Sequence, residues 1–139
     1  MATITEDYIS FETAKLLKEK GFKTPVETGY YGDGRICHNL ALDFMDYNHE
    51  DGYYSRPTIQ MAMKWLREVH ELHIMVNCIG KVNYDPIVQR FDGKDFEIEG
   101  VEVGTTRRIN GKWENVRRGF KTYEEACEVA IKYCLENLI

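Results

Sequence analysis

Three stretches of the chain repeat apolar residues at helical spacing, and the residues around each mark where a helix starts and stops. The last is the plainest. Thr122-Tyr123-Glu124-Glu125 reads as a capping box, with Thr122 accepting from the third helical N–H and Glu125 reaching back to the Thr122 amide. Behind it Tyr123, Cys127, Ala130, Cys134 and Leu138 share one face, flanked by Ala126, Ile131 and Leu135. Glu124, Glu125, Glu128, Lys132 and Glu136 fill the other, and Glu128 stands four residues before Lys132, the better orientation for a helical ion pair. A helix with so wide an apolar side must lie across a sheet or between elements. The first helix opens at Ser10, carries Phe11, Ala14, Leu16 and Leu17, and stops at Gly21, with Phe22 folding back on Leu17. The second runs from Ser55 or Thr58 to Leu72, with Pro57 near its first turn. Its stripe of Ile59, Ala62, Leu66 and Val69 is widened by Met61, Met63, Trp65 and Leu72, which predicts contact with a sheet and with a second surface. A partner subunit is one such surface, so a homo-oligomer, most simply a dimer, is expected.

Between the helices the period changes to two. Pro25 to Met45 reads as a hairpin turning at Gly32-Asp33-Gly34, with Ile36, Leu40, Leu42 and Phe44 on the half-buried side of its second arm. Asp46 to Tyr54 reads as an acidic, aromatic loop. His73 to Ile79 reads as a strand, whereas Asp85-Pro86 is expected to interrupt any ladder between Lys81 and Phe91. Asp92-Gly93 leads into Phe96, Ile98, Val101 and Val103, interleaved with Glu97, Glu99 and Glu102. Asn110-Gly111 is the strongest hairpin signal. A two-residue loop there pairs Ile109 with Lys112, Arg108 with Trp113, Arg107 with Glu114 and Thr105 with Val116. Alternation then sets Arg108, Trp113, Asn115 and Arg117 on one face, away from Val103, Ile109 and Val116. The pattern as a whole predicts a single α+β domain over residues 1–139, a mostly antiparallel twisted sheet with three helices packed on it.

Composition narrows the function classes. The 139 residues carry 18 basic and 23 acidic side chains, a net charge of −5, which argues against nucleic acid binding by the whole surface. No apolar run approaches the ~20 residues of a membrane span, and Met1 to Asp7 lacks the features of a signal peptide. The four cysteines (Cys37, Cys78, Cys127, Cys134) stand singly and read as reduced core residues of a cytoplasmic protein. His70 and His73, and Cys37-His38, lack the paired spacing of a zinc site, so no metal or other cofactor is expected. The glycines of Gly29-Tyr30-Tyr31-Gly32-Asp33-Gly34 match neither a Walker loop nor a dinucleotide fingerprint, and no nucleophile elbow is present. No catalytic set emerges, and a non-enzymatic role is expected.

Two arrangements rise above this background. From Thr105 to Lys121, Arg107, Arg108, Lys112, Arg117, Arg118 and Lys121 face a single Glu114. Guanidinium forks match phosphate oxygens, and an indole face stacks a base, so Arg108, Trp113 and Arg117, with Arg107 and Lys112, form a candidate site for an anionic, ring-bearing ligand. The competing reading stacks Arg108 on Trp113, pairs Arg107 with Glu114, and spends the remaining charges on acidic neighbours. The second set is Tyr30, Tyr31, Tyr53 and Tyr54 with Arg35 and Arg56, whose rings suit a ligand site, an interface or strand packing alike.

The segments Tyr8 to Phe22 and Pro57 to His70, with the Phe120 to Cys127 start of the last helix, resemble a family of small proteins of gut-bacterial phages and prophages. The likeness covers the helices and not the β segments, and the family brings no assigned catalytic residues. It implies a phage-encoded protein acting on host molecules, inhibitors of host defence being one such class. The expectation is therefore a protein sequestering a small anionic, nucleotide-type host signal. One alternative is a protein–protein interaction module that inhibits a host enzyme. A weaker one is nucleic acid binding through the basic hairpin.

Overall fold

The computed structural model describes residues 3–38, 44–78, 83–98, 101–102, 106–109, 112–115 and 118–139, with backbone alone at 97 and between 101 and 118. The α+β class expected from the pattern is the class observed, with antiparallel pairing throughout the described strands.

The first helix, α1 (Phe11–Glu19), is capped by Ser10, whose hydroxyl accepts from the Thr13 amide at 3.3 Å. It ends as predicted. Gly21 adopts φ 87°, a conformation disfavoured for residues with a Cβ, while the Phe22 amide donates to Leu17 O at 3.0 Å. Phe22 and Leu17 are both fully buried.

The first three-stranded sheet has the order β2-β1-β3, built from β1 (Thr28–Tyr31), β2 (Ile36–His38) and β3 (Tyr53–Ser55). Its third strand occupies the end of the stretch read as loop; a 3-10 turn at Tyr47–His49 brings the chain back so that Tyr54 stands opposite Tyr30. Gly29 makes that return possible. A Cβ there would stand 2.6 Å from the Tyr47 ring, and Tyr47 is buried. The apolar side expected for the second arm is corrected at both described ends: Ile36 is 45% and Phe44 59% exposed. β2 is an outermost strand whose far side no element covers among the described residues; Leu40 and Leu42 lie outside them.

The second helix, α2 (Ile59–His70), starts at Thr58, whose hydroxyl accepts from the Met61 amide at 3.1 Å. Ile59, Ala62, Met63, Trp65 and Leu66 are buried, but Val69, assigned to the apolar stripe, is 58% exposed. The helix reverses at Glu71 into the second three-stranded sheet, β4-β5-β6, of β4 (Leu72–Cys78), β5 (Tyr84–Arg90) and β6 (Asp95–Glu97). Here the expectation for Pro86 is overturned, because Pro86 sits inside the central strand opposite Val76. Its carbonyl accepts from the Ile98 amide at 3.4 Å, so its N–H position also points to the β6 side, where the described strand has ended at Glu97. No ladder bond to β4 is lost.

Two short ribbons follow: β7 (Val101–Glu102) with β10 (Arg118–Gly119), and β8 (Thr106–Ile109) with β9 (Lys112–Asn115). The closing helix, α3 (Tyr123–Asn137), is capped by Thr122 and lies on β4 and β5 and against α1 and α2. Ala126, Cys127, Ala130, Ile131, Cys134 and Leu135 are fully buried there. Glu128 does not make the predicted pair with Lys132. Its Oε1 instead accepts from the Ser10 amide at 2.9 Å and the Thr13 hydroxyl at 2.7 Å, capping α1 from across the molecule, and Lys132 turns to Glu12 at 3.1 Å. The cysteine reading needs one correction. Cys127 and Cys134 are core residues, but Cys78 is exposed at the end of β4.

Candidate ligand-binding cleft

The basic ribbon has the register that a two-residue loop requires: Ile109 stands opposite Lys112, Arg108 opposite Trp113 and Arg107 opposite Glu114. Arg108 and Trp113 therefore occupy directly opposed positions of an antiparallel pair, one register step from the Arg107–Glu114 and Ile109–Lys112 positions. Arg117 and the Thr105–Val116 pair lie outside the described residues.

The aromatic set separates into three environments. Tyr30 is a core residue, 8% exposed, with its hydroxyl donating to Ile9 O at 2.6 Å, so its ring face is not open to a ligand. Tyr31 and Arg35 form the hairpin tip, where the guanidinium lies 5.2 Å from the Tyr31 ring but bonds to Asp33 Oδ2 at 2.6 Å. The Arg35 backbone N–H, then its guanidinium, hold the Asp33 carboxyl below the usual carboxylate range. A hydrogen bond with Cys37 pushes the Tyr31 hydroxyl above its ordinary value. Tyr54 lies edge-on to Phe11 beneath Lys18, whose ammonium donates to the Glu50 and Tyr53 carbonyls at 2.9 Å each. This tip spends its charges internally.

Arg56 differs. The backbone following β3 is fixed to β1 by the Arg56 amide donating to Thr28 O at 3.0 Å, which swings the side chain over the arm that precedes α1. That arm is pinned to the start of α2: the Ile59 amide donates to Asp7 O at 2.8 Å and the Ile9 amide to Pro57 O at 3.2 Å. Tyr8 is thereby held with its ring 4.0 Å from the Arg56 guanidinium carbon. Nη1 donates to Thr28 Oγ1 at 3.3 Å, Nε is buried with no acceptor, and no carboxylate among the described residues pairs with the guanidinium. The buried Nε faces no ligand, but a guanidinium stacked on a ring without a carboxylate partner among the described residues suits an oxyanion.

It borders a cleft of about 410 Å³ lined also by Glu6, Val26, Glu27, Phe44, Gln60 and Met61. Glu27 accepts from the Tyr8 hydroxyl at 3.5 Å rather than pairing with Arg56, and Phe44 is a largely exposed ring. A volume of this order suits a small organic ligand. A second concavity, of about 420 Å³, lies at the end of α2 between Arg67, Glu71, His73, Arg90 and Phe91; its Arg90 is already bonded to Asp92 at 2.7 Å.

Of the residues singled out from the sequence, only Arg56, from the aromatic set, lines the first cleft. Tyr8, Glu27, Phe44 and Met61 had no place among the candidate ligand residues because they come from four separate stretches, brought together by long-range pairing such as the Tyr8–Thr58 and Val26–Met45 bridges. Among the described residues no three His, Cys, Asp or Glu side chains are grouped to hold a metal, and no helix is long and apolar enough to cross a membrane. Comparison with protein-family models, with curated proteins and with solved structures finds no match to this chain.

Proposed function

We propose that the protein is a non-enzymatic binding module for a small anionic, ring-bearing ligand of nucleotide type. The observation that carries this reading is Arg56: a guanidinium stacked on Tyr8, without a carboxylate partner among the described residues, at the wall of a cleft with an exposed phenyl ring. Phosphate takes the guanidinium and the base takes an aromatic face. The ribbon, where an arginine and a tryptophan occupy opposed positions 108 and 113, is the second place we propose such a ligand would engage. The phage-like helices extend the proposal to sequestration of a host signal in the host cytoplasm. The test is thermal shift against cyclic nucleotides and ADP-ribose derivatives. A ligand at a hundred times its Kd stabilises by about 2.7 kcal/mol, enough to raise Tm by several degrees. Arg56→Gln is expected to abolish the shift and Arg108→Ala/Arg117→Ala to reduce it. No shift with any member of the panel defeats the reading.

A second reading, docking to a protein, is favoured by one observation. The outer strand β2 exposes Ile36, and the segment that bridges to Val26 exposes Phe44 and Met45. Recovery of one stoichiometric host partner, lost on Ile36→Asp, would favour it over small-ligand binding. The same residues, or the exposed Val69, would serve a homodimer, for which light scattering must give twice the 16.3 kDa of one chain.

A further inference from the structure

We infer that the Arg56 cleft reads the edge of the base and prefers guanine to adenine, an inference that rests on the nucleotide-binding reading above. Val26 and Met45 form an isolated bridge, bonded in both directions at 2.9 and 3.0 Å. Glu27 and Phe44 flank this bridge, one on each of the two chain segments it joins. Both are exposed, and both line the cleft that Arg56 borders. A base stacked on Phe44 therefore presents its rim to Glu27, while its phosphate reaches the guanidinium.

The sign of that rim decides the base. An ionised carboxylate only accepts hydrogen bonds. Guanine offers two adjacent donors on its Watson–Crick edge, N1–H and the N2 amino group, and can bond both carboxylate oxygens. Adenine offers the N6 amino group beside the N1 acceptor, which sets a lone pair against the carboxylate. Hypoxanthine keeps N1–H and lacks the amino group, so it falls between. Glu6 also lines the cleft, but Glu27 is the carboxylate that meets the Tyr8 hydroxyl, at 3.5 Å, and it adjoins the bridge that Phe44 also adjoins. That hydroxyl bonds Oε2 and leaves Oε1 without a bond from it.

The experiment measures binding of guanosine, inosine and adenosine 5′-monophosphates by calorimetry to wild type, Glu27→Gln, Glu6→Gln and Arg56→Gln. Wild type is expected to bind the guanosine nucleotide at least about tenfold more tightly than the adenosine one, with inosine between, as the loss of a paired base contact implies. Glu27→Gln, whose amide oxygen still accepts from Tyr8, is expected to erase the preference while phosphate-dependent binding persists. Glu6→Gln is expected to preserve it, and Arg56→Gln to weaken all three nucleotides alike. Equal binding of the three, an adenosine preference, or a guanosine preference that survives Glu27→Gln overturns the inference and leaves nucleotide binding standing. Failure of every nucleotide to bind wild type removes both.

Discussion

Glu71 closes α2 with φ 57° and ψ 34°, a left-handed position that glycine usually fills and that costs a side chain about 1 kcal/mol. Glu71→Gly should therefore raise stability by about 0.5–1 kcal/mol, read as a higher denaturation midpoint at unchanged m. Next to it His70 lies edge-on to Trp65 at 4.6 Å with Nε2 buried and unpartnered, and burial lowers its pKa from the ordinary 6.5. The unfolded chain then takes up this proton before the folded one does. The stability His70 allows is complete above pH 6.5 and is lost as pH falls from there toward the folded value. Thermal melts between pH 7.5 and 5 should slope more steeply for wild type than for His70→Phe. The depressed carboxylates Asp33 and Asp92 lose their contribution only as pH falls below about 3.8, outside that window. Burial also pushes the Cys127 thiol up to about 11 and Cys134 up to about 12, so both stay protonated and sealed at neutral pH. A brief alkylation pulse on native protein should label exposed Cys78 and spare these two, as peptide mass mapping would read.

Among the elements, those that announced themselves in the sequence did so through local chemistry. Ser10 and Thr122 each cap a helix with the hydroxyl the pattern assigned, because a cap lies within three residues of the amide it serves; of the two starts left open for α2, Thr58 is the cap, which leaves Pro57 just outside the first turn. The Asn110-Gly111 signal likewise fixed the pairing of Arg108 with Trp113. What failed was set by neighbours distant in sequence. Pro86 is tolerated in β5 only because β6 ends beside it, and Ile36 is exposed because β2 has no outer neighbour among the described residues. Glu128 left its expected partner for an amide 118 residues away, where its carboxylate completes the start of α1. Glu128→Ala should cost about 2 kcal/mol, more than loss of a surface ion pair would, because it leaves the hydroxyl of the buried Thr13 without its acceptor. Gly29→Ala should cost at least as much, about 2 kcal/mol or more, since the new methyl would overlap the Tyr47 ring. Urea denaturation measures both.

At the scale of the molecule, the class was legible because helices of period 3.6 and strands of period 2 alternate along the chain, whereas the cleft was not. Its walls come from the arm before α1, the base of the first hairpin and the start of α2, and no local spacing links Tyr8, Glu27, Phe44 and Arg56. Arg56 stood among the candidate residues, but its companion Tyr8 lies too far along the chain for any local pattern to join the two. One feature of the packing reaches past binding altogether. The first helix rests on the last: Glu128 and Lys132 hold its opening turn, and Lys20 at its far end donates to the Ile139 carbonyl at 3.1 Å. A nascent chain thus has no lid for its core until residues 123–137 have left the ribosome tunnel. Ribosome-bound fragments stalled before that point should stay open to protease along their whole emerged length, and resistance should arrive in a single step once the final helix is released.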